Sequence, residues 1–157
     1  MTTAVIELYR EVILDHSKHP RNCRALRRPA RVAEGYNPLC GDQVTVYVEL
    51  AAGVLREVAF QGRGCALSTA SASLMTEMLK GKSAAAARRL GEQFENFATT
   101  GAASAATDIG QLNAFAAVHK FPSRVKCALL AWRTLQAALR AEEPATAAND
   151  NAKGEGQ

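Results

Sequence analysis

Apolar residues along this chain follow two periods, and the change from one to the other marks out its elements. Val5, Leu8, Tyr9, Val12 and Ile13 recur at helical spacing, which predicts an amphipathic helix ending near His16 or Ser17, with Pro20 as its stop. Arg21 to Pro29 reads as loop and Ala30 to Gly35 as an extended segment. From Gln43 the period is two: Val44, Val46, Val48 and Leu50 share one face, and Gln43, Thr45, Tyr47 and Glu49 the other. Such alternation predicts a half-buried antiparallel strand. Ala51-Ala52-Gly53 turns the chain, and Val54 to Gln61 returns as its partner.

The helical period resumes at Leu67, Ala70, Ser71, Leu74, Met75, Met78 and Leu79, closed by Gly81. Methionines at that spacing read as core filling. Ser83 is the expected N-cap of a helix running towards Phe97. Thr99 to Ala106 has no periodicity and reads as loop, and Asp108 to Val118 as a further helix carrying Ile109, Leu112, Phe115 and Ala116. Pro122 and Ser123 open a last helix that buries Val125, Leu129, Trp132, Leu135 and Leu139. Beyond Glu142 no apolar face remains, so residues 142–157 are expected to form a disordered tail after one domain over 1–141. The expected fold is α+β: a small antiparallel three-stranded sheet with helices packed on one face, and an exposed end where the turns meet.

With 157 residues, 48% of them apolar, the chain suits one domain with a mostly aliphatic core. No apolar run approaches the ~20 residues of a membrane span, and Met1 to Glu7 lacks the character of a signal peptide. A cytoplasmic location is therefore expected, where the four cysteines read as ligands or nucleophiles rather than as disulfides. The formal charge of +4 is spread unevenly, with Lys18, Arg21, Arg24, Arg27, Arg28 and Arg31 crowding one stretch. That stretch is either a solvated loop or a docking surface for an acidic protein partner. The absence of interleaved aromatics argues against nucleic acid.

Candidate chemistry gathers at three turns. In Phe60-Gln61-Gly62-Arg63-Gly64-Cys65-Ala66, a strand ends, glycines turn the chain, and Cys65 falls beside a helix N-terminus, where free N–H groups favour a thiolate. Asn37-Pro38-Leu39-Cys40-Gly41-Asp42 sets a thiol and a carboxylate two residues apart just before a strand, and Cys127 falls in the expected first turn of the last helix. The hairpin makes Asp42 and Cys65 neighbours. Spacing leaves two readings open: a shared site of three sulfurs and one carboxylate oxygen, or inert thiols of the core. His16 and His19 read as surface or packing residues, and Cys23 as incidental.

Asn-Pro-x-Cys-Gly-Asp, then Gly-x-Gly-Cys-Ala-x-Ser-x-Ala-Ser, then Cys127-Ala128-Leu129-Leu130-Ala131-Trp132, resemble the U-type iron–sulfur assembly family: IscU, SufU and the N-terminal domain of NifU. Leu8-Tyr9, Asp15-His16 and His19-Pro20-Arg21-Asn22 fit as well, and the resemblance runs from about Leu8 to Leu139. Lys126 stands where IscU carries a His, Phe121 to Lys126 departs from the Leu-Pro-Pro-Val-Lys segment of IscU, and the stretch from Cys65 to Cys127 is longer. These features resemble the SufU branch. The resemblance implies a Zn²⁺ held by Cys40, Asp42, Cys65 and Cys127, and a Cys40 that accepts persulfide sulfur from a SufS-like cysteine desulfurase once freed from the metal. It implies as an alternative a scaffold that builds a transient [2Fe–2S] cluster on the same ligands. Recipient apoproteins or other Suf assembly proteins complete the implied partners, with no nucleic acid and no membrane. At most the protein is a zinc-dependent sulfurtransferase partner of the desulfurase; otherwise it is a non-enzymatic scaffold.

Overall fold

Helix α1 (Thr3–Lys18) is followed by strands β1 (Arg31–Asn37), β2 (Asp42–Ala51) and β3 (Val54–Arg63), then helices α2 (Ala66–Leu79) and α3 (Ala84–Thr100). Two short 3₁₀ turns, Gly110–Phe115 and Val118–Lys120, lead into α4 (Pro122–Arg140). This computed structural model describes residues 3–27, 31–39, 41–101 and 109–140, with backbone alone at 3–6, 8 and 9. Cys40, Arg28, Asp108, the expected domain end at 141 and the expected tail at 142–157 lie outside the described residues.

The strands form one antiparallel sheet in the order β1-β2-β3. Asn37 pairs with Asp42, and Gln43 with Arg63, so both strand junctions that matter for the site lie at the same end. At the other end Ala52 and Gly53 make the β2–β3 turn with φ of 54° and 78°. Positive φ at both turn residues matches the twist of the flanking strands. The period of two translates directly into sidedness: Val44, Val46 and Val48 are buried while Gln43 is exposed. Helix α4 covers β1 and β2 on the inner face, and α2 covers β3. Gly35 permits that closeness, since a Cβ there would collide with the Thr134 side chain and meet Leu130 at 3.2 Å.

Helix α2 is buried well beyond the expected stripe, with every residue from Ala70 to Thr76 inside. It lies between α1 on one side and β3 and α4 on the other, and its small residues make that double contact possible. Its hydroxyls also hold the segment after α1. His16 Nδ1 lies 2.7 Å from Ser73 Oγ, the Arg21 N–H donates to the same oxygen at 2.8 Å, and Asn22 Nδ2 donates to Thr76 Oγ1 at 3.0 Å. His16 is thus a buried packing residue, and burial, with Arg21 nearby, lowers its pKa below the usual histidine range. His19 is exposed.

The basic stretch is partly consumed by the fold. Arg21 pairs with Asp15 at 2.8 Å and holds that carboxyl below its ordinary pKa. Arg24 reaches Glu57 at 3.3 Å, and Arg31 donates to the Leu139 carbonyl. Three of the six cations are thus engaged within the fold, while Lys18 and Arg27 are exposed.

Two expected boundaries move. Helix α3 continues through Thr100, where a loop was expected from Thr99; Thr99 Oγ1 bonds back to Glu95 O at 2.8 Å, and Gly101, at φ 77°, ends the helix by donating to Phe97 O. The helix expected over Asp108 to Val118 is instead the pair of 3₁₀ turns. Gly110 has φ 53°, and the Asn113 side chain donates to the Gly110 carbonyl at 2.9 Å, competing with α-helical pairing. Among the described residues no helix is long and apolar enough to cross a membrane.

Candidate metal centre

The turn between β1 and β2 is closed by Asn37. Its backbone carbonyl accepts the Gly41 N–H at 2.8 Å, and its side-chain oxygen accepts the Leu39 N–H at 3.2 Å. Gly41 completes the reversal at φ 73°, a conformation costly for any residue with a Cβ. Asp42 thereby opens β2 with its side chain turned inside, 2% exposed.

The second turn, after β3, brings Cys65 to Asp42. A Cβ on Gly64 would stand 2.9 Å from Ser68 Oγ and 3.1 Å from Asp42 Oδ1, so glycine is needed there for space and not for a left-handed backbone. Cys65 is the N-cap of α2: its Sγ accepts the Ser68 N–H at 3.4 Å, and its own backbone N–H donates to Asp42 Oδ1 at 3.1 Å. Cys65 Sγ lies 3.9 Å from Asp42 Oδ2.

Cys127 comes from α4, in the second turn of that helix and not the expected first, and is 6% exposed. Donor atoms of Asp42, Cys65 and Cys127 all lie within 4.8 Å of one another. Bonds of ~2.3 Å to sulfur and ~2.0 Å to oxygen imply ligand–ligand edges of roughly 3.5–3.8 Å around a tetrahedral ion. The Cys65–Asp42 separation is already close to that edge, and the donor set suits Zn²⁺ or an iron–sulfur cluster. The cluster faces the N-terminus of α2, whose dipole favours negative charge. Lys126 and Arg63 are exposed cations next to the site in the chain or the sheet, Arg63 bonding Gln43 at 3.3 Å.

Of the expected ligands, the fold therefore brings Asp42, Cys65 and Cys127 together, while Cys40, two residues before Asp42 in the chain, lies outside the described residues. Cys23 is exposed, pairs through its backbone with Phe60, and is not among the converging groups. Two contributors were missed from the sequence. Asn37 shapes the first turn, a role that the Asn-Pro pair could have signalled. Ser68 holds Cys65 through a backbone N–H, which no residue type announces.

Comparison with known proteins points the same way. The model of the NifU-like N terminal domain matches residues 8–128. The chain is 37% identical over 136 residues to the zinc-dependent sulfurtransferase SufU of Bacillus subtilis, covering 87% of this chain and 92% of that one. It is also 37% identical over 133 residues to the iron–sulfur cluster assembly scaffold protein IscU of Streptococcus pyogenes, covering 85% and 83%. A crystal structure described as a candidate iron–sulfur cluster assembly scaffold of the SUF system, from Fervidobacterium islandicum, superimposes with a TM-score of 0.79 at 35% identity, covering 85% of this chain and 98% of that one.

Proposed function

This chain belongs to the family of the NifU-like N-terminal domain, and from that premise we propose that its Cys40 accepts sulfur from a cysteine desulfurase beside a metal held by Cys40, Asp42, Cys65 and Cys127. It is an iron–sulfur cluster assembly protein of the SufU/IscU type. The observation that carries the finer reading is the convergence of Asp42, Cys65 and Cys127 within 4.8 Å at the end of the sheet where the Cys40 turn returns.

Zn²⁺ bound there would keep its thiol ligands deprotonated at neutral pH. The chain's own groups divide the remaining work. The Cys65 N–H fixes the Asp42 carboxylate, and the Ser68 N–H fixes Cys65 Sγ. Cys127 is buried and Cys65, though exposed, is held at the N-cap of α2 by the Ser68 N–H, whereas Leu39, next to Cys40 in the chain, is 69% exposed. That contrast supports Cys40 as the thiolate that a partner reaches. In the transfer, Cys40 Sγ attacks the outer sulfur of the desulfurase persulfide. One S–S bond forms at Cys40 as the S–S bond of the persulfide breaks. The desulfurase cysteine leaves as a thiolate, the outer sulfur keeps its proton as it passes to Cys40, and no external oxidant or reductant is required.

A second reading keeps the four ligands and makes a [2Fe–2S] cluster their cargo, handed on to apoproteins or to other assembly proteins. The single carboxylate favours it, because one oxygen among three sulfurs leaves a weaker point of attachment for release. Metal content and desulfurase turnover, measured on one purified sample, separate the two. The first reading expects about one tightly held zinc per chain and a strong rise in cysteine turnover, lost in Cys40→Ala. Little zinc, no stimulation and a coloured cluster after anaerobic reconstitution would overturn it in favour of the second.

A further inference from the structure

Helices α2 and α4 each present one thiol to the site, Cys65 at the N-cap of α2 and Cys127 in α4. Their mutual position therefore sets the distance between two donors. Between them runs a buried chain of hydrogen bonds. Trp132 Nε1 donates to Ser71 Oγ at 3.0 Å, and Ser71 Oγ donates to the Ala128 carbonyl at 2.5 Å. The direction is unambiguous, because an indole N–H can only donate and a carbonyl can only accept, so the serine hydroxyl must take one and give the other. Ser71 and Ala128 are fully buried, and Trp132 is 1% exposed.

The attachment point is the Ala128–Leu129 peptide, one residue beyond Cys127, and Trp132 also anchors α4 to α3 through its ring, 5.1 Å from that of Phe94. Ser71 lies six residues beyond Cys65, so α2 is tied to α4 within about 9 Å of its own ligand along the helix. Ala and Ser around it let the two helices approach closely enough for the bond. We propose that Ser71 and Trp132 are positioning residues that hold Cys127 at the correct distance from Cys65 for a shared metal. This inference rests on the ligand set proposed above. It assigns the two residues a role at the site although neither touches it.

The test is metal binding by the full chain, reduced and anaerobic, with Co²⁺ as a spectroscopic probe and Zn²⁺ affinity read by chelator competition. Ser71→Ala removes both bonds; Ser71→Thr keeps the hydroxyl; Trp132→Phe removes the indole donor and shrinks the ring that packs on Phe94. Phe97→Leu, in α3 and outside the Ser71 hydrogen bonds, serves as a core variant that leaves them in place. Ser71→Ala is expected to weaken Zn²⁺ binding roughly tenfold, the lower end of the effect of a lost outer hydrogen bond, and to change the Co²⁺–thiolate absorption. Ser71→Thr should restore both, Trp132→Phe should show a smaller loss, and Phe97→Leu should bind as the wild type does. If Ser71→Ala does not fold, Trp132→Phe against Phe97→Leu decides. Unchanged affinity and spectrum in Ser71→Ala and Trp132→Phe, with only a lower melting temperature, would reduce the bonds to ordinary packing and overturn the inference alone. A wild type that binds neither ion would overturn the ligand set and the inference together.

Discussion

Replacing Gly64 by alanine perturbs the centre through space, leaving every proposed ligand in place. The new Cβ would lie 2.9 Å from Ser68 Oγ, 3.0 Å from Ser68 Cβ and 3.1 Å from Asp42 Oδ1, each short of ordinary contact at 3.4 Å by a few tenths of an ångström. Ser68 Oγ can rotate away. Ser68 Cβ cannot move without the first turn of α2, and Asp42 is held by the Cys65 N–H. Relief must therefore open the gap between Asp42 and Cys65, lengthening a separation that is already 3.9 Å. Overpacking of this kind costs about 1–3 kcal/mol of stability. A displacement that strains one metal bond should weaken affinity roughly tenfold, or about 1.4 kcal/mol. Urea unfolding of the metal-free protein and anaerobic chelator competition read the two effects separately. Gly53→Ala is the control: its Cβ meets nothing within 4 Å, but φ is 78°, so it should lose about 1–2 kcal/mol with unaltered affinity. Wild-type affinity in Gly64→Ala, or equal weakening in Gly53→Ala, would refute the reasoning.

His16 should make the fold acid-sensitive. Burial depresses its pKa in the folded state, so the unfolded chain binds the extra proton first, and stability present above about pH 6.5 falls as pH drops from there towards the folded pKa, by at most about 1.4 kcal/mol per unit; urea midpoints across that window should flatten in His16→Gln, and an unchanged slope would count against it. Ala52 holds a left-handed φ of 54° without being glycine; Ala52→Asn should raise stability by about 1 kcal/mol, and a lower melting temperature would contradict the turn assignment. Asp42→Ala removes the one hard ligand of the proposed site and with it the exchangeable position, so sulfur turnover with a desulfurase should slow; unaltered turnover would sink that role for Asp42.

How far the sequence was legible depended on the range of the interaction behind each feature. Val44, Val46, Val48 and Leu50 alternate with polar residues because the sheet is covered on one face only, and that pattern is local. The closeness of Asp42 and Cys65 followed from the hairpin, since pairing of Gln43 with Arg63 leaves Asp42 beside Gly64, the residue before Cys65. The helical stripe of α4 was equally plain. Other features depend on residues far apart in the chain. Nothing near His16 reveals that Ser73 awaits its ring, and the all-round burial of α2 from Ala70 to Thr76 reflects α1 packing on its far side. Gly64 looked like a backbone requirement and proved to be a steric one. The 3₁₀ turns after Ile109 arise from side-chain competition at Asn113, which helical periodicity does not register.

The most direct measurement of the central claim is the location of transferred sulfur. The metal-loaded full chain is mixed with a cysteine desulfurase and cysteine, alkylated rapidly, digested and mapped by mass spectrometry. The account predicts one added sulfur atom on the peptide that contains Cys40, absent from Cys40→Ala. Sulfur found on Cys65 or Cys127 in the wild type, or persisting in Cys40→Ala, would contradict it.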